Sequence, residues 1–147
     1  MVEGPQYSTD FTAFAALPLT LKVSNRLVYS PHAYASGSYI FTSYDDMKHA
    51  YDTRAGFLLH HKPEVPLWVG EFGTCQTVDC GANSQWFAWF VQYLKENNLS
   101  WSYWPLNGTQ STGYSRTYDA PETYGLLSTD YQHIAAPKIV ALFRTMQ

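Results

Sequence analysis

The chain is 147 residues long, 46% hydrophobic and 14% charged, with a formal net charge of −3. That balance fits one globular α/β unit spanning residues 1–147 and excludes a disordered or strongly charged tail. A basic face for nucleic acid is lacking, and no apolar run approaches the ~20 residues of a membrane span.

In chain order, Phe11 to Leu17 is expected as a short helix. Leu27 to Tyr29 reads as an apolar strand that ends in His32 and Tyr34. Behind the start signal Asp45-Asp46, the residues Met47, Ala50, Tyr51, Arg54, Phe57 and Leu58 recur at helical spacing. Leu67, Trp68 and Val69, bracketed by Pro66 and Gly70, form a buried strand that stops at Glu71, with Phe72 and Gly73 directly after it. A second helix is expected from about Ser84 to Asn97, its apolar stripe made by Phe87, Phe90, Val91 and Leu94. Leu99 to Tyr103 is a third strand, ending in Trp104, and Pro137 opens a last helix with Ile139, Val140 and Phe143 facing inward. Strands alternating with helices of these lengths predict parallel β/α units.

The residues that close the strands carry the chemistry. In α/β barrels, catalytic groups sit at the C-terminal ends of strands, on rigid backbone at the mouth. Glu71 takes that position; a strand-end glutamate otherwise pairs with an arginine or faces water. His32 and Tyr34 are suited to hydrogen-bond such a carboxylate, and the Trp104 face to stack on a sugar ring. A carboxylate in this company can attack or stabilise an anomeric carbon. The aromatic content of 17% is mostly core, and it also suits a carbohydrate cleft.

Other side chains have plainer readings. Pro105 to Thr129 is a long Gly/Ser/Thr/Tyr/Asn-rich loop on the same side, so Asn107, Tyr114, Arg116 and Tyr118 are candidate sugar contacts or loop packing. Glu122 reads as a solvated loop charge. His49, His60, His61 and His133 lack any metal-ligand spacing and read as surface or structural residues. Cys75 and Cys80 form a Cys-x4-Cys pair just after Glu71. A disulfide ring there is worth roughly 2 kcal/mol by loop entropy and favours a secreted parent; two buried thiols are the other reading. No second cysteine pair supports a metal, and no cofactor motif is present. Met1 leads straight into Val2-Glu3-Gly4 without the basic and apolar regions of a signal peptide.

Together the segments Tyr29-Ser-Pro-His32-Ala-Tyr34, Trp68-Val-Gly-Glu71-Phe-Gly73 and Trp101-Ser-Tyr-Trp104-Pro resemble glycoside hydrolase family 5, the cellulase-type retaining β-glycosidases. Val2-Glu3-Gly4 is similar to the end of that family's fifth strand. The resemblance implies Glu71 as nucleophile, His32 and Tyr34 beside it, and Trp104 in the sugar subsite with Asn107 and Tyr114. It also implies a β-glucoside or β-glucan substrate. The family's acid/base glutamate lies in an Asn-Glu-Pro triplet, which does not occur here. A whole (β/α)8 barrel takes about 250 residues, so the chain corresponds to a C-terminal half of the barrel, about four parallel β/α units. Glu3 is then the candidate substitute acid; without one, the chain is a carbohydrate-binding half-domain that keeps the aromatic subsite and cannot complete hydrolysis. A half-barrel is expected to leave strand edges and a large apolar inner surface open, and hence to form a homodimer or higher oligomer.

Overall fold

The computed structural model describes residues 1–35, 40–61, 64–79, 84–113 and 115–146. Three parallel strands, β1 (His32–Tyr34), β2 (Trp68–Gly73) and β3 (Ser100–Tyr103), lie side by side in chain order. Below β1, single parallel bridges continue the array, Leu67 to Tyr29 and Tyr29 to Val2. Val2 donates its N–H to the Val28 carbonyl at 2.8 Å, and Ser30 returns one to the Val2 carbonyl at 2.8 Å. The strand expected at Leu27 to Tyr29 is therefore shorter than its apolar run. Pro31 has no N–H to donate, and the ladder of β1 begins after it.

The helices are α1 (Pro5–Ser8), α2 (Ala13–Ala16), α3 (Tyr44–Arg54), α4 (Trp86–Glu96) and α5 (Pro137–Phe143). Of the expected Phe11 to Leu17 helix only four residues form, and α1 is one turn with left-handed φ at Gln6 and Tyr7. Ser43 caps α3, its hydroxyl accepting the Asp46 N–H at 3.1 Å, with Asp45 and Asp46 on the positive end of the dipole. The periodicity through Leu58 suggests one longer helix, but α3 stops at Arg54 and a 3₁₀ turn, Gly56–His60, carries Phe57 and Leu58. Gly56 is where the chain passes close to α4: a Cβ there would overlap the Asp52 carboxylate and the Tyr93 hydroxyl. Asn97 ends α4, donating its side-chain amide to the Tyr93 carbonyl at 2.9 Å.

Most of the buried mass lies between the sheet and α4. Phe72 is fully buried and meets five rings, those of Phe87, Phe90, Trp101, Tyr103 and Phe143, at centroid separations of 5.5 to 6.1 Å. Such pairs add about 0.5–1.5 kcal/mol each beyond area burial. A second cluster, Phe11, Tyr29, Ala55, Leu58 and Leu67, closes the other end.

On the sheet side facing away from the helices, Ser30 and His32 lie next to Gly70, and Trp68, a large ring 40% exposed, donates its indole N–H to the Ser102 hydroxyl at 3.0 Å. Exposed large apolar side chains also gather at Leu17, Leu19, Leu21 and Val23. No helix among the described residues is long and apolar enough to cross a membrane.

Candidate active site

Register brings the strand-end residues together. β1 and β2 pair His32 with Glu71, Ala33 with Phe72 and Tyr34 with Gly73. Between β2 and β3, Val69 faces Trp101 and Phe72 faces Tyr103, so two residues of β2, Gly70 and Glu71, span one of β3. This irregularity lets Val69 and Phe72, three apart, both reach the helix side, while Glu71 stays on the open side. Bulges that re-aim a side chain beside an active site are a recurring device. Gly70 makes room: a Cβ there would overlap the Ser30 hydroxyl and press on His32.

Glu71 is one-third exposed at its side chain. Tyr34 donates its hydroxyl to Glu71 Oε2 at 3.1 Å, and His32 Nδ1 lies 3.5 Å from the same oxygen. Burial, the Glu71 charge and this hydrogen bond together push the Tyr34 phenol well above its usual pKa, so it stays a proton donor. The far nitrogen of His32, Nε2, lies 3.7 Å from Glu3 Oε1. Glu3 and Glu71 thus flank one imidazole, but the Glu3 side chain is 66% exposed against 12% for His32.

Trp104 continues the ladder, its N–H bonded to the Phe72 carbonyl at 2.9 Å. It joins Pro105 by a cis peptide bond, and its ring is half exposed. Gly73 sits against it closely enough that a Cβ would overlap the Trp104 carbonyl oxygen. Glu71, His32, Tyr34 and Trp104 line one cleft of about 590 Å³ together with Arg116, Glu122, Tyr124, Tyr7 and Thr9.

Asn107 is not among the residues lining the cleft; it donates its side-chain amide to the Thr109 carbonyl within its own loop. Tyr118 points outward, 75% exposed. Tyr114 and Cys80 lie outside the described residues, and with Cys80 the expected ring; Cys75 carries no free thiol. His133 pairs with Asp130 at the surface, Nδ1 to Oδ2 at 2.7 Å. Among the described residues no cluster of three or more His, Cys, Asp or Glu side chains could hold a metal.

Glu122 corrects the reading of a solvated charge. It is 3% exposed, ion-paired through Oε2 with Arg116 Nη2, and Oε1 accepts the Tyr124 N–H at 3.2 Å. Gln76, in the loop after β2, ties this wall down: its side-chain amide donates to the Glu122 carbonyl at 2.9 Å and the Gly125 carbonyl at 3.0 Å. The Tyr103 hydroxyl donates between the Thr74 carbonyl, 3.0 Å away, and the Tyr124 carbonyl at 2.9 Å. Gln76, Tyr124, Tyr7 and Thr9 have no periodic or motif signal that marks them in the sequence. A larger cavity, about 740 Å³, lies at the opposite strand ends, walled mainly by apolar residues from Leu19 to Val28 and Leu58 to Leu67. It contains none of the strand-end residues.

Residues 1–110 match the model of the cellulase family, glycosyl hydrolase family 5. A glycosyl hydrolase 5 family protein of Chamaecyparis obtusa is 26% identical over the whole chain, and an endoglucanase of Paenibacillus polymyxa is 31% identical over 94% of it. The chain spans 28% and 34% of those two proteins, about a third of their length. Its fold is similar to part of an endocellulase of the archaeon Pyrococcus horikoshii, with a TM-score of 0.73 at 23% identity over 96% of this chain and 37% of that one. That endocellulase is also known in complexes with cellotetraose. The catalytic domain of the major endoglucanase of Xanthomonas campestris pv. campestris gives 0.72 at 20% identity, over 95% of this chain and 38% of that one. With three-quarters of its residues inside the family match and its parallel α/β sheet similar to part of these enzymes, the chain belongs to the cellulase family, glycosyl hydrolase family 5.

Proposed function

We infer that this chain carries the nucleophile side of a retaining β-glucan hydrolase of the endoglucanase or β-glucosidase type, with Glu71 as nucleophile. The observation that carries this reading is the shared oxygen: Glu71 Oε2 is approached by the Tyr34 hydroxyl at 3.1 Å and His32 Nδ1 at 3.5 Å, beside a half-exposed Trp104. In the first step the free carboxylate attacks the anomeric carbon while the glycosidic bond breaks and the leaving oxygen takes a proton. In the second, water displaces Glu71 and the configuration is retained. Tyr34 and His32 orient the carboxylate, and Trp104 offers its face to the ring. Tyr114 is a further candidate sugar contact in this reading, while Asn107, bonded within its own loop, acts only through that loop.

The leaving-group proton needs a second carboxyl, ~5–5.5 Å from the nucleophile in retaining enzymes. The strand-end candidates are Glu3, across the His32 ring, and the Glu71 of a second copy. Self-association through the free edges of β3 and of the Val2 segment completes the half-barrel in this reading. Light scattering on a dilute sample tests it; a stable monomer would refute it. A Cys75–Cys80 ring and a secreted parent enzyme complete the proposal. Assays on an aryl β-glucoside and on soluble cellulose, beside a Glu71→Gln control, test the assignment. Loss of many powers of ten in rate is expected, and near-normal turnover would overturn it.

A further inference from the structure

The Arg116–Glu122 pair has no part in the two chemical steps, yet it lines the same cleft as Glu71 and Trp104. Glu122 is fixed on every side. Its carboxylate holds Arg116 and the Tyr124 N–H, its own N–H bonds the Gly108 carbonyl at 2.9 Å, and its carbonyl takes the Gln76 amide. Arg116 is held at Nη2 and keeps 30% of its side chain exposed, while Nε is buried without a partner among the described residues. A guanidinium has five N–H donors, and those this one can offer the cleft are the Nη hydrogens that Glu122 does not take.

Burying an ion pair in a cleft wall costs desolvation that its attraction only partly returns. An arginine alone would bind hydroxyls just as well, and it would also draw anions into a cleft that it shares with Glu71 and His32, with Glu3 beyond. The buried Glu122 removes that pull while leaving the fork in place. We propose that Arg116 is a substrate-binding and specificity-determining residue, a hydrogen-bonding arm for neutral glucan hydroxyls, whose charge Glu122 masks against carboxylated glucans. The proposal rests on the reading of this cleft as a glucan site.

Affinity electrophoresis reads binding without turnover. The chain is run in native gels containing hydroxyethyl cellulose, which is neutral, or carboxymethyl cellulose, which is anionic, with thermal melting as a check on folding. Glu122→Gln keeps the shape and removes the negative charge. It should strengthen retardation by the carboxymethyl polymer several-fold relative to the neutral one, and salt should erase the gain. Arg116→Met should weaken retardation by the neutral polymer about tenfold, the worth of roughly one good hydrogen bond. Should either single variant fail to fold, the double variant Arg116→Met/Glu122→Leu removes both charges together and decides the matter through the same loss on the neutral polymer. Retardation that is unchanged in all folded variants overturns the arm alone. A parent chain retarded by neither polymer overturns the glucan reading and the arm with it.

Discussion

Tyr34→Phe removes one hydroxyl and keeps the ring. The lost contact is an O–H donated to Glu71 Oε2 at 3.1 Å. Hydrogen bonds to charged groups contribute about 1.5–3 kcal/mol. A charge-assisted O–H···O⁻ bond is typically near 2.5–2.7 Å, so this longer one belongs at the low end, about 1.5 kcal/mol. The two chemical steps feel it differently. When Glu71 attacks, its charge falls and the phenol loses part of its bond; when water displaces Glu71, the carboxylate is the leaving group and the phenol stabilises the returning charge. The variant should therefore slow release of the glycosyl group about tenfold, since ~1.4 kcal/mol is a factor of ten, and slow its formation little. Stopped-flow assays with an activated aryl β-cellobioside should show a burst of phenolate followed by a slower steady state. An unchanged steady-state rate without a burst would refute the assignment of Tyr34 to the leaving carboxylate.

Gly73→Ala places a methyl group against the Trp104 carbonyl, which is backbone and cannot step aside alone. Overpacking of this kind costs about 1–3 kcal/mol; denaturant unfolding should show that loss together with weaker cellotetraose binding, and wild-type stability would contradict the described approach. Trp104→Ala, at a ring half in solvent, should leave the unfolding midpoint within about 1 kcal/mol of the parent while weakening sugar binding by titration; unchanged affinity would remove Trp104 from the subsite. Burial pushes the Tyr103 phenol up to about 12 and those of Tyr34, Tyr51 and Tyr93 higher. A phenol raised above its unfolded value, ~10, stabilises the fold fully below that pH and loses its contribution as the pH rises through its folded value. Melting temperatures should fall from about pH 10 upward, and a flat profile to pH 12 would show that these phenols ionise as easily folded as unfolded.

Strand ends were the legible part of this chain. Glu71, His32 and Trp104 each lie within a few residues of an apolar or aromatic run, and parallel register carries them to one mouth. The helix at Trp86–Glu96 was equally open to reading, because six of its eleven residues are buried on one stripe. What escaped depends on partners distant in sequence. Glu122 looks solvated in a polar loop, and only Arg116 six residues away and Gln76 forty-six residues away make it buried. The irregularity at Gly70-Glu71 needs the partner strand to define it.

The role of Glu71 is open to direct chemical capture. A 2-deoxy-2-fluoro β-cellobioside with a good leaving group slows the second step and lets the glycosyl-enzyme accumulate on whichever side chain attacked. Peptide mass spectrometry of the labelled chain should then find one fluorinated sugar per molecule, on Glu71, with labelling lost in Glu71→Gln. A label on Glu3, Glu122 or any other residue would contradict the account, as would hydrolysis of the compound by the chain with no adduct formed.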